Sequence, residues 1–263
     1  MEDALQPLRA QLRELKLKHL AEQLDRYMLE VSCSDKPYAQ LLQEFFALEI
    51  GHRRRIGMEN RLRHANLPVF DKALDLGAYD FAKRSGVTKR QIVELTSNFL
   101  WIDQAYNILF LGSQGLGKSF LSSYIGYKAI EAGYKVLFIS MTDLAHLLKT
   151  EPLLKRSRTK MKRIRNCDLL ILDEVANTIL DHQEGNLLFQ LMVDFYQHAS
   201  MIVTSNKGFD DWAKALGDTV VAAAVMDRLL HKCEIFNLGG DSWRMEDQQS
   251  ILKNLLKGGA LHT

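Results

Sequence analysis

Residues 112–119 read Gly-Ser-Gln-Gly-Leu-Gly-Lys-Ser, a spacing of glycines, ammonium and hydroxyl that suits the handling of phosphate. The glycines let a backbone wrap around phosphate oxygens with its N–H groups pointing inward, and a helix starting at the lysine adds its positive N-terminal end. In that cradle Lys118 meets the β- and γ-phosphates of ATP and Ser119 binds Mg²⁺. Gly112, Ser113, Gln114, Gly115, Leu116, Gly117 and Phe120 complete the set of nucleotide-contacting positions. The segment also stands in the setting the pattern requires, after the apolar run 108–111 and before a helix-like stretch over 120–132.

Two further groups belong with a phosphate loop. The strand-like stretch 168–172, apolar over 169–172, ends in Asp173 and Glu174. Two acids after a strand are common in α/β proteins, but beside a phosphate loop Asp173 is placed to hold the Mg²⁺ shell and Glu174 to polarise the attacking water. Between Lys118 and Asp173 lies another apolar run, 136–139. Such an interval suits ATPases in which the loop-bearing and acid-bearing strands are not neighbours, which favours hydrolysis over binding alone. Asn206 follows the run 201–203 and the polar pair Thr204 and Ser205. Its amide either senses the γ-phosphate or the attacking water, or caps the next turn.

The elements that must position these groups are legible in outline. Short runs rich in Ile, Leu and Val at 108–111, 136–139, 169–172, 201–203 and 235–238 alternate with helical stretches, which predicts an α/β fold with a five-stranded parallel sheet flanked by helices. Upstream, leucines 5, 8, 12, 15, 17, 20 and 24 predict one amphipathic helix. A break at 34–37 precedes a second helix over 38–66, closed by Pro68. Residues 1–67 thus read as a small all-helical module and 68–263 as the ATPase domain. The latter divides into a connector 68–101 with a helix near 88–96, a core 102–245 and a C-terminal helix 246–258.

With 47% apolar and 25% charged residues among 263, the chain can bury a core, and its formal charge of +2 gives no strong overall field. Attraction to nucleic acid would have to come from clusters. One exists at 155–165, where Lys155, Arg156, Arg158, Lys160, Lys162, Arg163 and Arg165 occur without an acid. A charge run is often only a solvated helix face. The functional alternative is DNA binding through backbone phosphates, without base specificity. The run precedes the acid-bearing strand, which puts it near the nucleotide end of the domain, and it contains no interleaved aromatics, which favours duplex over single strand. A second cluster, residues 52–55 with Arg61 and Arg63, suits DNA and an acidic neighbour equally. Cys33, Cys167 and Cys233 are far apart and suggest neither a zinc site nor a disulfide framework. No apolar run approaches the ~18 residues of a membrane span, so a cytoplasmic protein without a membrane partner is expected.

Taken together, the segments NILFLGSQGLGKS, LLILDE, IVTSN, AAAVMDRLLH and GGDSWRM, within residues 80–245, resemble the IstB-type helper ATPases of bacterial insertion sequences. These are AAA+ proteins close to the DnaC-type helicase loaders. The resemblance implies an AAA+ fold and an ATP-dependent, DNA-binding homo-oligomer that assists a transposase. It also implies that Arg228 is an arginine finger reaching a neighbouring subunit's nucleotide, and that Arg244 is a second phosphate sensor. The chain departs from the family after Glu174, where Val175, Ala176, Asn177, Thr178, Ile179 and Leu180 replace a usual Pro-Leu turn. A DnaC-like loader of a replicative helicase is the alternative function, in which residues 1–67 would face that partner rather than other subunits.

Overall fold

The computed structural model of the chain describes residues 2–32, 34–68, 74–196 and 198–242. They fall into two compact units, residues 1–60 and 61–263, divided within helix α3.

The first unit holds α1 (Glu2–Glu14), α2 (Lys18–Val31) and most of α3 (Tyr38–Ala65). The single helix expected from the leucine series is two helices, because Lys16 takes a left-handed φ of 59° and the chain turns there. The sequence carries the reason: the step from Leu15 to Leu17 breaks the three- and four-residue spacing, so leucines 5, 8 and 12 and leucines 17, 20 and 24 are two stripes out of phase. Leu12, Leu20, Ala21, Leu24 and Phe45 form the core of this unit, whereas Leu15 at the break is 68% exposed. Glu49 of α3 is buried against this core and accepts hydrogen bonds from the Leu20 N–H at 3.2 Å and Arg53 Nε at 2.8 Å. Burial pushes its carboxyl up, but these bonds and the charge of Arg53 outweigh burial and hold it below the usual carboxylate range.

The second unit is built on five parallel strands, β2 (Asn107–Leu111), β3 (Val136–Ser140), β4 (Leu169–Asp173), β5 (Ser200–Ser205) and β6 (Cys233–Asn237), in the order β3-β4-β5-β2-β6. The loop-bearing β2 and acid-bearing β4 are indeed not neighbours, but β5 lies between them, and the strand that intervenes in sequence, β3, goes to the edge. Side chains alternate between the faces. Leu109, Leu170, Leu172, Met201 and Val203 join a core with α7 (Met141–Thr150), α8 (Lys155–Arg165), α9 (His182–Phe195), α10 (Phe209–Ala215) and α11 (Thr219–Leu230). Helix α6 (Lys118–Ala132) lies on the opposite face, so close that a Cβ on Gly126 would sit 2.6 Å from Ile171 Cδ1.

The connector is more structured than one helix. It holds a 3₁₀ turn (Leu76–Ala78), β1 (Arg84–Ser85), α4 (Lys89–Ser97) and α5 (Leu100–Asp103). Helix α4 starts where Thr88 and Gln91 cap each other's backbone N–H groups. Strand β1 pairs antiparallel with β7 (Gly239–Gly240), tying the connector to the segment after β6.

Candidate nucleotide site and cationic helix

The phosphate loop leaves the C-terminal end of β2 and becomes α6 at Lys118. Gly112, Gly115 and Gly117 have φ of 141°, 80° and 81°, a region open to glycine and strained for other residues. The space is closed to a side chain as well: a Cβ on Gly117 would lie 2.7 Å from the Tyr79 ring, and one on Gly115 would lie 2.0 Å from Ser242 Oγ. Tyr79 donates its hydroxyl proton to the Leu116 carbonyl at 3.1 Å. Burial pushes its phenol up to about 12, against the lowering influence of Arg84, so it holds the loop as a neutral donor. The ammonium of Lys118 reaches back over the loop to the carbonyls of Gly112 at 2.6 Å and Ser113 at 2.7 Å.

Beneath the loop, Ser119 Oγ lies 2.9 Å from both oxygens of Asp173, and Thr204 Oγ1 donates to the same carboxylate. A hydroxyl and a carboxylate at the N-terminus of a helix are a fitting pair of hard oxygen ligands for Mg²⁺ beside phosphates. Thr204 acts twice, since its oxygen also accepts the Glu174 N–H at 3.0 Å. The pairing of Leu172 with Val203 explains this, for it brings Asp173 level with Thr204. Glu174 sits at a left-handed φ of 60° with its side chain exposed at the end of β4, and strain of this kind gathers at functional positions. The divergent segment after it is anchored at both ends: the Val175 N–H donates to Thr204 O at 2.9 Å and the Leu180 N–H to Ala215 O at 2.7 Å. Asn206 Oδ1 is buried without a hydrogen-bond partner. An orphaned acceptor of this sort fits a donor that comes with the ligand, such as a water bound between amide and phosphate.

Arg228 is not part of this cluster. Its guanidinium donates to Ala224 O at 3.1 Å and lies over the Phe189 ring, 4.6 Å from the centroid. The next residue, Leu229, accepts a hydrogen bond from the Asn107 side chain at 2.9 Å. Asn107 begins β2 and the phosphate loop follows its end, a separation of about 16 Å for five residues at ~3.3 Å each. Arg244 and the segment 246–258 lie outside the described residues.

All seven basic residues of 155–165 are exposed on α8, whose Ser157, Met161 and Ile164 are buried. Arg165 is engaged, with Nη1 2.5 Å from Glu151 Oε1 and Nε 3.5 Å from Asp194 Oδ2. In the sequence these seven form one run; at 100° per residue they divide into two faces. Arg156, Lys160 and Arg163 share one, while Lys155, Arg158, Lys162 and the engaged Arg165 share the other. Thr204, Tyr79 and Ser242 are the site residues that sequence reading passes over, the first because it stood beside Asn206 as one of several polar residues at a strand end.

A parallel sheet with β5 between the loop strand and the acid strand, and Ser119 and Asp173 meeting beneath a glycine loop, define an AAA+ P-loop ATPase fold. The chain belongs to the family of IstB-like ATP binding proteins, whose sequence profile matches residues 10–251. It is 36% identical over 242 residues to an IS21-like insertion-sequence protein of Bacteroides fragilis named provisionally for ATP binding, covering 92% of this chain and 90% of that one. A similarly named IS21 protein of Pseudomonas aeruginosa is 32% identical over 238 residues, covering 90% and 88%. Among solved structures, DnaI superposes with a TM-score of 0.50 at 16% identity, over 69% of this chain and 94% of that one, a likeness of fold alone. Among the described residues, no helix is long and apolar enough to cross a membrane.

Proposed function

We propose that this protein hydrolyses ATP as an oligomer assembled on duplex DNA, without sequence preference, and thereby supports an insertion-sequence transposase. The observation that carries the reading is the convergence of Ser119, Asp173 and Thr204 beneath the phosphate loop, with Glu174 next in the chain. Mg²⁺ held by Ser119 and Asp173 would neutralise phosphate charge. Lys118 and the loop amides bind the triphosphate, Glu174 takes a proton from the attacking water, and Asn206 orients that water or the γ-phosphate. Arg228 from a neighbouring subunit stabilises charge that develops on the γ-phosphate, a role supported by its distance from its own loop. The family relationship supports the tie to insertion sequences. The exposed cations of α8 support binding to DNA phosphates.

The test is electron microscopy of the full chain with a long duplex, with and without ATP, alongside phosphate release. ATP-dependent rings or spirals on the duplex and DNA-stimulated turnover are expected. A protein that remains monomeric on DNA and binds it independently of salt would sink the reading. A helicase loader would instead assemble on single strands together with a helicase.

A further inference from the structure

One exposed face of α8 borders a recess in the surface. Arg156, Lys160 and Arg163 line a cavity of about 500 Å³ between α8 and the edge strand β3. This is the size of a small-ligand pocket. His146 of α7 and His64, near the end of α3, add two imidazoles to the same wall. None of the three cations forms an ion pair among the described residues, although Arg165 on the same helix has two acidic partners. The acid in the lining, Asp143, is occupied by the Ser140 hydroxyl at 2.8 Å. Three like charges on successive turns around one cavity repel each other, and an anion in the cavity would relieve that repulsion.

The rest of the lining narrows the class of anion. Phe138 and Leu147 supply apolar surface of the kind on which a base packs. Residues 137–140 border the cavity along β3, an edge strand that pairs only with β4 among the described residues. Its outer N–H and C=O groups are therefore available to the polar edge of a base. A double helix is too wide to enter such a cavity and would touch only its rim. A single nucleotide has the phosphate, the apolar face and the polar edge in one molecule.

We propose that this cavity is a second nucleotide site, separate from the phosphate loop, which takes one nucleoside monophosphate unit with its phosphate on Arg156, Lys160 and Arg163. The unit is either a free nucleotide or the end of a single strand. The site does not depend on the transposition reading, since it is defined by its own lining.

Calorimetric titration of the full chain carrying Lys118→Ala, which weakens nucleotide binding at the phosphate loop, tests it with AMP, a 5′-phosphorylated hexathymidylate and inorganic phosphate. Saturable binding of about one AMP or one oligonucleotide per chain is expected, weakened at least tenfold by Arg156→Gln, Lys160→Gln and Arg163→Gln together. Lys155→Gln, Arg158→Gln and Lys162→Gln together should change it less than threefold. AMP binding identifies a free nucleotide as a sufficient ligand, and binding of the oligonucleotide alone identifies a strand end; either supports the site. The proposal is overturned if neither ligand saturates, if both triple variants lose binding equally, or if inorganic phosphate binds as tightly as AMP. Arg163→Gln alone serves if the inner triple variant does not fold.

Discussion

At the scale of single residues, the site divides into groups that meet phosphate in the ground state and groups that act only during reaction. Lys118→Ala removes a charge that meets phosphate, and should weaken ATP binding by about tenfold to a hundredfold, as loss of a charged hydrogen bond implies. Glu174→Gln should keep affinity nearly unchanged and lower turnover by about 10²–10⁴-fold, the usual contribution of a general base. Fluorescence titration and phosphate release separate the two, and wild-type turnover in Glu174→Gln would remove it from the mechanism. Thr204→Val leaves Asp173 without one donor and the Glu174 N–H without its acceptor. It should cost about 1–3 kcal/mol of stability and weaken the Mg²⁺ dependence of ATP binding, whereas Thr204→Ser should restore both. A Thr204→Val protein with unaltered Mg²⁺ dependence would make the hydroxyl merely structural.

Helix α8 illustrates what an element adds to its residues, because helical geometry turns one basic run into two faces with different surroundings. The outer face, Lys155, Arg158 and Lys162, is free of the cavity and suited to a duplex backbone. Replacing these three by Ala should lower the slope of log affinity against log salt by about 0.9 for each phosphate that is no longer neutralised, for all duplex sequences alike. An unchanged slope would make this a solvated face. In the first unit, Glu49 of α3 gives a second expectation. Its folded-state pKa is lowered, so the stability it contributes is present above the unfolded carboxyl value of about 4.3 and is lost as pH falls through the lower folded value. Glu49→Gln should cost about 1–3 kcal/mol at pH 7 and little at pH 2. Denaturant unfolding at both pH values checks this, and an equal loss at both would point to packing rather than charge.

The whole molecule raises the question of how Arg228 could act. Within its own chain it is stacked on Phe189, at the end of the sheet opposite the phosphate loop, so any contribution to hydrolysis must be made in a neighbouring subunit after the guanidinium leaves that ring. Arg228→Ala should bind ATP normally when dilute and lose turnover when assembled, by a factor within the roughly 10³–10⁵ seen for such arginines. Mixing decides the matter, because Lys118→Ala subunits still carry Arg228 and Arg228→Ala subunits still carry a whole loop. Co-assembled mixtures should recover part of the activity. If they hydrolyse no more ATP than either variant alone, the arginine does not act across the interface.

By itself the sequence determined the chemistry of the loop, since residue type and spacing at 112–119 leave a backbone few other uses. It also determined the strands, whose short runs of β-branched and leucine side chains read through to within two residues of β2–β6. What it left open depends on neighbours that are distant in the chain. The break in the leucine series over 5–24 was by contrast local and legible, since the step from Leu15 to Leu17 puts the two halves out of phase where Lys16 turns left-handed. Strand order made β5, not β3, the divider between loop and acid, and thereby brought Thr204 to Asp173 from 31 residues away. The run 155–165 holds no aromatic residue and pointed to a solvated face or to duplex rather than single-strand binding. Packing of α8 on α7 and α9 sets three of its seven basic residues beside the cavity that Phe138 and the edge of β3 also line, because a helix presents to its neighbours only those side chains that its own period turns toward them.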